Sequence, residues 1–136
     1  MKITLKRIET PYVLEATNED GASVIMDAKP DIGGANKGMR PMQLMAASLA
    51  GCSSIDVLLI LRKQKLEPEF YEVEIDASRV ETHPQVFDHI HLTFKLKGVP
   101  RDKAERAVDL SVNKYCSVSK MIDHAVKITS SVELIE

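Results

Sequence analysis

The chain has 136 residues, a length typical of one domain with a genuine hydrophobic core, and we expect a single domain over residues 1–136. Its 44% hydrophobic and 28% charged residues are typical of a soluble globular protein and exclude a disordered one. The formal net charge is −2 and the charges of both signs are interspersed, so no basic stripe is available for nucleic acid.

The N-terminal part of the chain predicts three short strands, over residues 3–5, 12–14 and 23–26. Turn signals at Thr10-Pro11 and around Gly21 separate them, which predicts an antiparallel meander. The alternating start lacks the long apolar run of a signal peptide, so we expect a cytoplasmic protein.

A loop over residues 29–40 contains three glycines, and its length makes a functional role worth testing. Pro41 then opens a helix that we expect to reach about Lys65, since proline suits the first helical turn. Residues 44–61 are apolar or small nearly all round, which predicts a buried central helix. Asp56 and several serines near its middle would be costly in lipid, so we expect no membrane partner.

The second half of the chain predicts two long strands, two helical segments and a final strand. The alternating strands lie at 71–77 and 89–97, the helical segments at about 101–115 and 117–122, and the last strand begins at 126. Strands grouped in runs, with the helices separate from them, predict an α+β fold with mainly antiparallel sheet.

Cys52 and Cys116 are the two cysteines of the chain, and a structural disulfide is not expected in a reducing compartment. They are therefore either inert buried thiols or redox-active ones, and both interpretations stay open on the residues alone. No histidine has zinc-ligand spacing around either cysteine. His89 and His91 share one strand face, which is more typical of a solvated face than of a metal pair. We expect no metal and no cofactor.

Two segments resemble the signatures of the OsmC/Ohr family. Residues 38–52 (GMRPMQLMAASLAGC) are similar to its proline-opened helix that carries a cysteine. Residues 114–119 (KYCSVS) are similar to its second cysteine segment, Cys-x-Val-Ser. The order of the elements and the chain length match as well, so the resemblance covers essentially the whole chain.

The resemblance implies an intertwined homodimer, in which sheets from both subunits wrap two long central helices. It also implies a reaction: Cys52 attacks a hydroperoxide as a thiolate, its sulfenic acid condenses with Cys116, and an external dithiol reduces the disulfide. By position Cys52 would be the peroxidatic cysteine and Cys116 the resolving one. An apolar pocket at the cysteine would favour organic hydroperoxides.

The match departs from the family at Met42, where efficient peroxidases of the family carry a glutamate that holds an arginine near the thiolate. We expect Arg40 to supply the cation here, with Arg7 as the second candidate. Asp56 lies one helical turn after Cys52 and so on nearly the same face. We expect it to satisfy buried donors or to pair across the dimer.

Two functions follow from this sequence. We predict a thiol-dependent hydroperoxide reductase that protects against oxidative stress. The alternative is a binding or redox-sensing protein that keeps the dimer pocket but turns over slowly or not at all.

Overall fold

A computed structural model describes all residues from 1 to 136. The chain forms two compact units, residues 1–45 and residues 46–136. One domain over the whole chain stays a prediction.

The first unit contains a three-stranded antiparallel sheet in the order β1-β2-β3. Its strands are β1 (Ile3–Glu9), β2 (Val13–Asn18) and β3 (Ser23–Met26), so the predicted meander is confirmed. The side-chain oxygen of Asn18 accepts hydrogen bonds from the backbone N–H groups of Asp20 and Ala22 at 3.0 and 2.9 Å. These bonds close the turn between β2 and β3.

The loop after β3 is ordered around one carboxylate, that of Asp27, which is 2% exposed. This carboxylate accepts hydrogen bonds from the backbone N–H groups of Ala28, Ala35 and Lys37 at 2.7, 3.0 and 3.2 Å. Burial raises the pKa of Asp27, but the three hydrogen bonds and the charge of Lys37 outweigh burial and hold the pKa below its usual value. The predicted glycine-containing loop therefore has a fixed conformation, with a short 3-10 turn at Pro30–Ile32.

Helix α1 (Pro41–Lys63) is the predicted long helix, and it ends two residues before the expected boundary. The N–H of Leu66 bonds to the carbonyl of Leu61 at 2.9 Å, and Lys65 has a φ of +60°. These features form a Schellman motif, which satisfies the last carbonyl groups of the helix. Glycine usually occupies this left-handed position, but here the residue is Lys65. The sequence therefore lacks the usual glycine signal for the end of the helix.

One face of α1 is buried and the opposite face is open. The buried residues recur at helical spacing; they are Ala46, Leu49, Ala50, Ser53, Val57 and Leu61. On the other face Ile55 is 70% and Leu59 is 48% exposed. The expectation of a helix buried all round is therefore wrong for a single chain, because one chain covers only one side. The helix is long and apolar enough to cross a membrane, but core helices of soluble proteins share that property.

The second unit contains a three-stranded sheet of β4 (Phe70–Arg79), β5 (Phe87–Lys97) and β6 (Lys127–Leu134), in that order. Strand β5 is central, and every second side chain from Ile90 to Leu96 is buried. Phe87 is also buried, but it lies before a shift in the register with β4. Strand β4 runs antiparallel to β5, whereas β6 runs parallel to it. The parallel pair requires a long crossover, which helices α2 (Arg101–Leu110) and α3 (Ser117–Ile122) provide. The α+β class is confirmed.

The predicted helix over 101–115 is not one regular helix. Helix α2 ends at Leu110, and a π-helical turn, Ser111–Tyr115, follows it. The backbone N–H of Cys116 closes this turn on the carbonyl of Ser111 at 2.8 Å. Cys116 itself has extended backbone and precedes α3, so it lies where one helix ends and the next begins, as expected.

Candidate active site

Cys52 and Cys116 are remote in sequence, but their sulfur atoms lie within 4.8 Å of each other. Cys52 lies in the middle of α1, and Cys116 lies between the π-helical turn and α3. Both are free thiols. The prediction that folding brings the two sulfurs together is therefore confirmed.

The thiol of Cys116 is completely buried and is held by two hydrogen-bond donors. Its Sγ accepts hydrogen bonds from the hydroxyl of Ser53 at 3.3 Å and from the backbone N–H of Ser119 at 3.4 Å. Burial raises the pKa of Cys116, and the neighbouring thiol of Cys52 raises it further, although the two donors act in the opposite direction. Cys116 is therefore held as the protonated thiol at neutral pH.

Cys52 is partly exposed, in contrast to Cys116. The preceding residue is Gly51, and a Cβ atom added there would meet no other atom within 4 Å. Cys52 itself is therefore accessible to a reagent, whereas Cys116 is not. This difference in access fits an attacking and a resolving cysteine.

Asp56 is a third member of the site. One of its carboxylate oxygens lies within 4.8 Å of both sulfurs. Its Oδ2 accepts the buried hydroxyl of Ser111 at 3.4 Å, and the same hydroxyl donates to the carbonyl of Ser53 at 2.8 Å. Because the Ser111 hydroxyl has one hydrogen and its shorter contact is to Ser53, the role of Asp56 in satisfying a buried donor stays a prediction. The sequence placed Asp56 beside Cys52 by helical spacing but gave no signal for its approach to Cys116.

Arg40 and Arg7 lie in the first unit, whereas Cys52 lies in the second. The backbone N–H of Arg40 donates to Oε1 of Gln43 at 3.0 Å, so Gln43 caps the start of α1. Gln43 thus has a structural role, and Met42 supplies no carboxylate at the position where one was expected. The approach of either arginine to Cys52 stays a prediction.

His89 and His91 lie on the polar face of the second sheet. The hydroxyl oxygen of Thr129 lies 2.7 Å from Nε2 of His89 and 2.6 Å from Nδ1 of His91. The other ring nitrogen of His91 lies 3.0 Å from the hydroxyl of Ser131. Because the imidazoles are satisfied by hydroxyl groups of β6, these contacts favour a hydrogen-bonded strand face over a metal pair.

Tyr71 is a buried polar group near α1 that belongs to no recognisable sequence motif. Its hydroxyl is buried without a hydrogen bond of normal geometry. Burial raises the pKa of Tyr71 to about 12, and the nearby hydroxyl of Ser54 on α1 opposes this rise. The strict alternation of β4 was the available signal, because it placed Tyr71 on the inward face.

The fold and the two converging cysteines define a class of small α+β thiol proteins. The family model for OsmC-like proteins matches residues 34–131, and the chain belongs to this family. It is 38% identical to Protein YhfA of Escherichia coli strain K12 over 117 residues, which cover 85% of this chain and 84% of YhfA.

Solved structures share the whole fold. A hypothetical protein of Aquifex aeolicus VF5 superposes with a TM-score of 0.80 at 28% identity, over 99% of this chain and 97% of that protein. The organic hydroperoxide resistance protein OsmC of Legionella pneumophila superposes with a TM-score of 0.71 at 21% identity, over 98% and 97%. At this lower identity the match shows the fold alone. The expected OsmC-like fold is confirmed.

We expect iodoacetamide to modify Cys52 faster than Cys116 in the reduced, folded protein, because Cys52 is accessible and Cys116 is buried with a raised pKa. Peptide mass spectrometry of samples quenched over time measures both rates. In urea-unfolded protein the two rates should converge, which controls for intrinsic reactivity. Faster modification of Cys116 in the folded protein would contradict the assignment.

Proposed function

We propose that the protein reduces hydroperoxides, with Cys52 as the attacking thiolate and Cys116 as the resolving thiol. The observation that supports this most directly is the pair of free sulfurs within 4.8 Å, one accessible and one buried. Inert core thiols would not need partial exposure at Cys52 or a pair of hydrogen-bond donors on Cys116.

The proposed reaction transfers two electrons from the thiol pair to the peroxide. The Cys52 thiolate attacks the terminal peroxide oxygen, the O–O bond breaks, and the alkoxide leaves as an alcohol after taking up a proton. Cys116 then attacks the resulting sulfenic acid, and its thiol proton leaves with the hydroxide as water. An external dithiol reduces the disulfide. The nearby Cys116 limits further oxidation of the sulfenic acid, which is otherwise irreversible.

An organic hydroperoxide fits the surroundings of Cys52 better than a purely polar one. Ile55 and Leu59 follow Cys52 at helical spacing on the same side of α1, so the thiol has an apolar border. The Legionella pneumophila protein that shares this fold is named for organic hydroperoxide resistance. We expect the protein to work in the cytoplasm, where dithiol reductants are available.

One feature favours the alternative of a slow or sensing protein. The carboxylate of Asp56 lies within 4.8 Å of both sulfurs, and a negative charge at that distance opposes thiolate formation. A cation near Cys52 is therefore needed for rapid turnover. Without such a cation, peroxide would still oxidise Cys52 and Cys116, but slowly.

We expect Cys52→Ser to abolish consumption of cumene hydroperoxide in the presence of dithiothreitol, because serine cannot form the sulfenic acid. Cys116→Ser is the matched variant: once it has been reduced and the dithiothreitol removed, it should consume about one peroxide per chain and accumulate a sulfenic acid that dimedone traps. A ferric–xylenol orange assay follows the peroxide. If wild type and Cys52→Ser consume peroxide equally, the enzyme hypothesis fails.

We expect Arg40→Ala to slow alkylation of Cys52 at pH 7, since the loss of a nearby cation disfavours the thiolate. The difference from wild type should shrink towards pH 9, where thiolate forms without help. Arg7→Ala tests the second candidate in the same assay, and Arg101→Ala serves as an exposed control. A profile of Arg40→Ala that matches wild type would remove Arg40 from the site.

We also propose a homodimer formed through the open face of α1. Ile55, Leu59 and Arg62 follow one another at intervals of four and three residues, the spacing of a helix–helix seam, and Cys52 lies at the edge of this seam, where its thiol stays accessible. Ile55 and Leu59 are the apolar part of this seam, and their high exposure in one chain is costly. A second copy of α1 packed against this face would bury both.

We expect Ile55→Glu to convert the dimer to a monomer, because the seam would then bury two unpaired carboxylates. Light scattering after size-exclusion chromatography measures the mass. Val86→Glu is the control, since Val86 is a similarly exposed apolar residue outside α1. A monomeric wild type, or a dimeric Ile55→Glu, would rule out this interface.

A further inference from the structure

The two thiols and the carboxylate at the site form a set of metal ligands. We propose that the reduced protein binds one thiophilic divalent cation, with zinc as the natural candidate, through Cys52, Asp56 and Cys116. This proposal departs from the expectation of no metal, which considered only histidine partners for the cysteines. This inference is independent of peroxide reduction, because it requires only the reduced thiols and the carboxylate.

The geometry of the three ligand atoms suits a small cation. Both sulfurs and a carboxylate oxygen lie within 4.8 Å of one another. In a tetrahedral zinc site, bond lengths of about 2.3 Å to sulfur and about 2.1 Å to oxygen place the ligand atoms roughly 3.6–3.8 Å apart. Each edge of the triangle therefore has to shorten by at most about 1.2 Å. Side-chain rotation alone can supply a shift of that size.

Hydrogen bonds already orient two of the three ligands. The sulfur of Cys116 accepts from Ser53 and from the backbone of Ser119, at 3.3 and 3.4 Å. The carboxylate of Asp56 accepts from Ser111 at 3.4 Å. Such outer contacts are the usual support of metal ligands, because they fix the direction of the lone pairs. The fourth position is left to water, as in zinc sites with three protein ligands.

The charges of the site also favour a cation. No lysine, arginine or histidine forms an ion pair with Asp56, whose hydrogen-bond partner is a neutral hydroxyl. A half-buried carboxylate beside two thiols is unfavourable for thiolate formation unless positive charge is added. A divalent cation supplies that charge and displaces the two thiol protons to solvent. Two sulfurs and one oxygen favour zinc or cobalt over magnesium or calcium.

A bound cation would occupy the lone pairs that attack peroxide. Metal-bound protein should therefore resist alkylation at Cys52. Where the proposed peroxide reduction also holds, zinc should inhibit it reversibly and a chelator should restore it.

The test is a titration of the reduced, chelator-treated full chain with Co²⁺ under anaerobic conditions. We expect one equivalent per chain, a thiolate-to-cobalt charge-transfer band in the near ultraviolet, tetrahedral cobalt bands in the visible, and loss of both on adding Zn²⁺. Cys52→Ser should lose most of the charge-transfer intensity. Asp56→Asn should weaken Co²⁺ binding by about tenfold or more, as loss of a ligand or its support does.

Asp20→Asn is the matched control, since it removes an exposed carboxylate in the turn after β2 and should bind Co²⁺ like wild type. Circular dichroism verifies that each variant is folded. The absence of a sulfur–cobalt band in wild type would overturn the site. Equal affinity in Asp56→Asn and Asp20→Asn would overturn the proposed ligand set. The titration contains no peroxide, so a protein that binds cobalt but consumes no hydroperoxide refutes only the proposed function, and the converse refutes only this site.

Discussion

Ser53 joins α1 to the segment that carries Cys116 through both its backbone and its side chain. Its carbonyl accepts the hydroxyl of Ser111 at 2.8 Å, and its own hydroxyl donates to the sulfur of Cys116 at 3.3 Å. All three residues are completely buried, so neither bond can be replaced by water without opening the core. The position of Cys116 relative to Cys52, and with it every chemistry considered for the site, depends on this contact.

The same contact explains why the helix after β5 is irregular. A regular α-helix through 115 would rotate Cys116 away from its observed direction, whereas the π-helical turn at Ser111–Tyr115 adds a residue to the turn. The turn lets Ser111 face α1 while Cys116 caps the start of α3. Such π-helical turns are often found beside functional residues.

The packing of α1 decides three properties of the site: the exposure of Cys52, the position of its partner Cys116 and the position of the Asp56 carboxylate. One side of α1 packs into the core and holds Ser53, and the open side presents Cys52, Ile55 and Leu59. Asp56 lies between these sides, near both sulfurs. The proposed dimer seam, the thiol proposed to meet peroxide and the proposed cation site thus adjoin one another on α1. Changes in assembly or metal content would therefore act directly on the thiols.

The sequence by itself determined the features that depend on local periodicity. The length of α1, the alternation of β4 and β5 and the α+β class are all set by residues close together in the chain. The resemblance of two cysteine segments also identified the pair. Only the tertiary structure decided the parallel direction of β6, the π-helical turn and the approach of Asp56 to Cys116. These depend on contacts between remote segments, which no local pattern encodes.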